Sequence, residues 1–167
     1  MAKDRGSMLA PIDPVLRELG RLVFNFNSVE HGMRRIAFLM IAPDDERIGE
    51  ITVDRLGSSG LEELVRSLAS YRLKPDDLIA RVNAAVNRFG VLRQSRNDFV
   101  HAQWVVPNKF GGPEDILAVK RRFRKGVTSP VASLDPGPIG VAASEASRLG
   151  DELEALHASI KHYFFGN

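Results

Sequence analysis

The stretch PDDLIARVNAAVNRFGVLRQSRNDFVH, residues 75–101, sets the fold class. Pro75 fixes φ where a helix begins, and Asp76 and Asp77 place negative charge in the first turn, where the helix dipole favours it. Leu78, Val82, Ala85, Phe89, Leu92, Arg96 and Phe99 then recur at alternating four- and three-residue steps. That is the period of one long amphipathic helix and not the two-residue alternation of a strand. The pattern predicts a helix running to about Trp104, before Pro107 stops it.

Toward the N-terminus the period repeats. Asp13 and Pro14 open a helix whose seam is Leu16, Leu19, Val23, Phe26, Glu30, Met33, Ala37 and Met40, widened by Leu22, Val29 and Ile36 and ended by Pro43. At ~1.5 Å per residue it is about 40 Å long, a length that suits a bundle. A short helix through Ile48 and Ile51 is expected before the break Gly57-Ser58-Ser59-Gly60. Ser59 and Glu62 have capping-box spacing, and Leu61, Leu64, Leu68 and Tyr71 form a further helical seam that stops near Lys74.

Toward the C-terminus the composition changes. Gly111-Gly112-Pro113 and Asp135-Pro136-Gly137-Pro138 bracket Ile116 to Lys125, which reads as an insertion carrying a strand or hairpin. A last helix, about Val141 to Phe164, has the seam Ala146, Leu149, Leu153, Leu156, Ile160 and Tyr163. The expected fold is all-α: an up-down bundle of four or five helices in one domain, residues 1–167, with a small β-hairpin or loop insertion over about 107–140 before the last helix.

The 23 basic and 21 acidic side chains nearly balance, so contact with nucleic acid must come from local patches. The chain has no cysteine, which excludes disulfides, thiol nucleophiles and iron–sulfur clusters and fits a reducing, cytoplasmic setting. Its longest apolar run, Ile36 to Ala42, is far below the ~20 residues that span a bilayer, so no membrane partner is expected. There is no P-loop, no G-x-S-x-G and no cluster of acidic and histidine ligands, so neither a metal nor a cofactor is expected. His31, His157 and His162 lack metal-ligand spacing and read as surface or half-buried residues.

Two apolar seams are each broken by one charge, Glu30 and Arg96. If both positions are buried, the economical arrangement is that they meet, and Glu30→Ala would then cost about 3–5 kcal/mol. A purely structural ion pair, or seams that reach solvent at these points, explains the pattern as well. Beside the second seam runs the stripe Asn83, Asn87, Gly90, Gln94, Asn97, His101 and Trp104, polar but uncharged, fit to line a groove or a self-association surface or simply to face water. Asn97 and His101 are one turn apart on one face, and Arg96 is long enough to bend toward them. Arginine grips phosphate oxygens with a planar fork of donors, and histidine exchanges a proton near neutral pH, so the group can address a phosphodiester.

The segment Arg96-Asn97-Asp98-Phe99-Val100-His101 resembles the motif of the HEPN superfamily (higher eukaryote and prokaryote nucleotide-binding domain): an arginine, a polar residue, then a histidine after four to six intervening positions. Four residues intervene here. The resemblance implies a four- or five-helix up-down bundle, usually a homodimer in which two copies of the motif meet. It also implies, for many members, metal-independent endoribonuclease activity, often as toxins or defence components paired with an antitoxin or a nucleotidyltransferase. The motif arginine maps to Arg96, the polar residue to Asn97 and the histidine to His101. Other members keep the fold without cleaving RNA.

Lys120-Arg121-Arg122-Phe123-Arg124-Lys125 is the densest basic run. On a strand it would show Lys120, Arg122 and Arg124 on one face, either to meet an RNA backbone or to guard an exposed edge strand. Two readings follow. In one, His101 and Arg96 cleave RNA while Asn97 orients and Glu30 steadies Arg96; in the other, the chain is a non-catalytic dimer serving as a binding or scaffold module, with Trp104 and the amide stripe as its partner surface. Both require the same secondary structure: far-UV circular dichroism should be dominated by helix, with more than half of the residues helical and strand confined to roughly residues 105–130, and a β-dominated spectrum would end the bundle reading.

Overall fold

The computed structural model describes residues 13–105, 117–122, 127–133 and 135–166. Among them are five helices: α1 (Asp13–Ile41), α2 (Glu46–Val53), α3 (Ser58–Arg72), α4 (Asp76–Val100) and α5 (Gly137–Phe165). The protein is a helical bundle. Except at α3, each helix starts where local chemistry supplies its free N–H groups with an acceptor or favours their dipole. Asp45 accepts from the backbone N–H of Arg47 and Ile48 at the head of α2. Asp76 and Asp77 lie in the first turn of α4. Asp135 Oδ1 accepts from Gly137 N at 2.8 Å at the head of α5.

Contacts divide the described residues into two compact units, those within Met1–Phe24 and Gln94–Ser144, and those within Asn25–Arg93 and Glu145–Asn167. The helices α1, α4 and α5 contribute a segment to each. In the second unit a continuous apolar core joins Phe26, Met33, Ile36 and Met40 of α1 to Leu61 and Val65 of α3, Val82, Val86 and Phe89 of α4, and Leu149, Leu153, Leu156 and Ile160 of α5. The Phe26 and Phe89 rings stack with centroids 5.5 Å apart. Gly49 lets α2 lie directly on α1, since a Cβ there would sit 2.6 Å from the Phe38 Cα. Arg88 of α4 spans Glu145 and Glu152, which lie two turns apart on α5. Burial alone would lower its pKa, but the bonds to Glu152 and Glu145 outweigh that and hold the guanidinium above its ordinary value.

In the first unit a smaller cluster of Val15, Leu22, Ile139 and Ala143 packs with Leu19, Phe99 and Ala142. The same unit holds three antiparallel strands in the order β1-β2-β3: β1 (Gln103–Val105), β2 (Leu117–Arg122) and β3 (Val127–Ser133). Trp104 pairs with Ala118, Lys120 with Ser129 and Arg122 with Val127, with a register shift between Ala118 and Val119. Pro130, which has no N–H to donate, lies on the edge strand β3.

Several expectations are corrected. The long third seam stops being helical at Val100, and Trp104 lies on β1, because Gln103-Trp104-Val105 is rich in residues that fit a pleated surface. The described part of the basic run, Lys120 to Arg122, lies on the central strand of the sheet and not on an edge strand. Arg124 and the Gly111-Gly112-Pro113 turn lie outside the described residues. Gly57, not Ser59, is the residue before α3, and no side chain caps it. The inward face of α3 is Leu61, Val65 and Ala69, leaving Tyr71 85% exposed. On α1, Val15 is buried while Leu16 is exposed. A broad apolar arc shows that a helix has an inward side without saying which of its edges turns furthest in.

Phe89→Ala should cost about 3–5 kcal/mol in denaturant unfolding, because it empties the centre of the second unit's core. Gly49→Ala should cost about 1–3 kcal/mol by forcing backbone against backbone. Tyr71→Ala should stay within about 0.5 kcal/mol of wild type.

Candidate functional site

The motif occupies the last turn of α4, inside the first unit. Phe99 packs against that unit's core, which fixes the rotation of this turn. Arg96 is half-buried and its Nη1 donates to Asn97 Oδ1 at 2.9 Å. The Asn97 carbonyl accepts from His101 N at 3.1 Å, so His101 keeps helical geometry one residue past the end of α4 and stays on the face of Asn97. The His101 side chain is exposed. Within the motif Asp98 is held by Gln94, whose Nε2 donates to Asp98 Oδ1 at 2.8 Å. That contact was legible as an i, i+4 amide–carboxylate pair, but the amide stripe drew attention to Gln94 only as part of a face.

The structure therefore brings Arg96 and Asn97 together and places His101 one turn along the same face. The guanidinium donates to the residue beside it, so its charge is turned toward the Asn97 and His101 side of the helix. Arg96 Nε is buried, so the exposed imidazole of His101 is the most accessible polar group of the motif.

Glu30 has a different role from the one expected. It lies beside the buried line of α1, not on it: its side chain is 23% exposed, and Arg34, one turn on, is 22% exposed. Its carboxylate accepts from Arg34 Nη2 at 3.0 Å and from Ser58 Oγ at 3.2 Å. Arg34 also donates to the carbonyls of Val53 at 2.8 Å and Leu56 at 2.9 Å, tying down the turn between α2 and α3. With local partners and partial solvation, neither Glu30 nor the half-buried Arg96 meets the condition of lone burial on which their expected pairing rested.

The amide stripe is not uniform. Asn87 Oδ1 accepts from Arg66 of α3 at 2.9 Å, and Gly90 lies against the carboxylate of Glu62, which also pairs with Arg93. That half is committed to packing between α3 and α4. Trp104, Lys120 and Arg122 are placed by their strands alone: Trp104 pairs with Ala118 of β2, and Lys120 and Arg122 lie two residues apart along β2. Among the described residues no group of three acidic or histidine side chains is arranged to hold a metal, and no helix is long and apolar enough to cross a membrane. Sequence reasoning also missed a basic cleft formed by Arg35, His157 and Lys161, because nothing in the one-dimensional spacing joins α1 to α5.

No family model, curated protein or solved structure matches this chain.

The contacts of Arg34 and Glu30 predict an order of effects. Arg34→Ala leaves the Val53 and Leu56 carbonyls without their donor and should cost about 1–3 kcal/mol in chemical denaturation. Glu30→Gln, which removes only a partly solvated ion pair, should cost about 1 kcal/mol or less. The reverse order would mean that Glu30 supports something beyond α2 and α3.

Proposed function

We propose that the protein is a metal-independent endoribonuclease of HEPN type, acting through Arg96, Asn97 and His101. The observation that carries this reading is the Arg96 to Asn97 hydrogen bond one turn from an exposed His101. His101 takes the proton from a ribose 2′-hydroxyl, whose oxygen attacks the adjacent phosphorus as the bond to the 5′-oxygen breaks. Arg96 neutralises the charge that gathers on the phosphate oxygens, and Asn97 keeps the guanidinium turned toward them. The leaving 5′-oxygen takes a proton from water, His101 returns the one it accepted to solvent, and the cleaved strand ends in a 2′,3′-cyclic phosphate. Lys120 and Arg122 of β2, together with Arg124, offer cations to the RNA backbone. A HEPN-type bundle with the three strands as its insertion, acting as a homodimer in the cytoplasm beside an antitoxin or nucleotidyltransferase-type partner, completes the proposal.

A non-catalytic binding or scaffold module is the second reading. It is favoured by the apolar side chains that the first unit leaves exposed, Leu16, Val141 and above all Phe24 at 73%. A partner that covers them needs no chemistry from His101.

Purified protein should cleave single-stranded RNA in excess EDTA and leave 2′,3′-cyclic phosphate ends. His101→Ala should lose about 10²- to 10⁴-fold in rate with its melting temperature unchanged, the scale of one positioned proton transfer. Arg96→Lys keeps the charge and loses the fork, so it should lose cleavage while staying folded. Intact RNA with wild type, or equal cleavage by His101→Ala, would leave the binding module as the function.

A further inference from the structure

The second unit contains a cleft of about 340 Å³ between α1 and α5 that owes nothing to the motif. On α1 its wall is Arg35 and Leu39, at i and i+4; on α5 it is His157, Lys161 and Phe165, spaced in the same way. Two stripes therefore face each other, each with basic groups at one end and an apolar group at the other. Among the described residues no carboxylate lines it. Glu154, one turn before the cleft on α5, bonds Arg35 Nη1 at 2.5 Å, while Arg35 Nη2 lies 3.4 Å from His157 Nδ1. Glu154 thus takes one end of the guanidinium and leaves the other beside the imidazole. Lys161 is exposed at the same mouth.

We propose that this cleft binds a phosphate monoester whose organic part is apolar. Three donor-bearing side chains, Arg35, His157 and Lys161, line the cleft, which suits a dianionic group with three terminal oxygens better than a singly charged, two-oxygen carboxylate. The volume lies at the lower end of the range for small-molecule sites, roughly 300–1,000 Å³, and exceeds what a bare phosphate fills. The remaining space runs along Leu39 and the half-exposed Phe165, where water is poorly held and a ring or short alkyl chain is well covered. This inference is independent of the nuclease reading, since no motif residue lines the cleft.

Phenyl phosphate is the probe, titrated into the full chain and followed through the His157 ring resonances by NMR, beside inorganic phosphate and benzoate. Phenyl phosphate should give a saturable shift and bind more tightly than either comparison compound. Lys161→Gln should weaken it about three- to tenfold, the loss of one charge-assisted contact. Glu154→Gln, at an exposed position, should strengthen it by releasing Arg35. These opposite signs from two surface substitutions distinguish a binding site from a general loss of stability. No saturable shift, equal affinity for benzoate, or no response to either substitution would overturn the proposal; binding of inorganic phosphate as tight as phenyl phosphate would overturn its apolar half.

Discussion

The stacked rings of Phe26 and Phe89 fix how α1 and α4 face each other in the second unit. The rings are nearly parallel, 11° apart, and both are almost wholly buried. Aromatic pairs add about 0.5–1.5 kcal/mol to the burial of their area, and their shape admits few alternative registers. Once Phe26 points inward, Val29, Met33, Ile36 and Met40 follow it by helical period, and Glu30 is turned to the flank. That rotation lets Arg34 reach the carbonyls of Val53 and Leu56 and so holds the turn that leads into α3.

Around this core the charged residues act as clips between helices. Arg88 bridges two acids of α5, Glu62 stands between Arg66 and Arg93, and Arg35 meets Glu154. All are partly solvated, so each pair contributes on the order of 1 kcal/mol or less. Their larger effect is on specificity. A helix turned by one residue would leave its arginine without its acid, and the apolar seams alone, being broad, tolerate such slips.

The motif has a different character because it lies where α4 ends. Phe99 anchors the final turn in the first unit's core, while His101, two residues later, projects into solvent. A packed backbone and an accessible imidazole thus lie within three residues of each other. The hydrogen bonds of Arg96 to Asn97 and of Gln94 to Asp98 keep the intervening side chains in place.

The sequence by itself determined the helices, because a four-and-three apolar period with an acidic or proline start has few other solutions; Phe89, Leu92, Leu153 and Ile160 were readable as core for that reason. It also placed Arg96, Asn97 and His101 on neighbouring faces of one turn, since spacing within a helix is local geometry. Where the period weakened, local reading failed. The helix ends at Val100 and Trp104 lies within a strand, because pairing with β2 is available to Gln103-Trp104-Val105 only once the chain has folded back on itself. The contact of Glu30 with Ser58, the central position of β2 and the cleft of Arg35, His157 and Lys161 were likewise decided by tertiary structure. Each depends on which edge of an apolar arc turns inward and which distant segment then lies opposite, and these are fixed by packing many side chains at once, information that no single stretch of sequence contains.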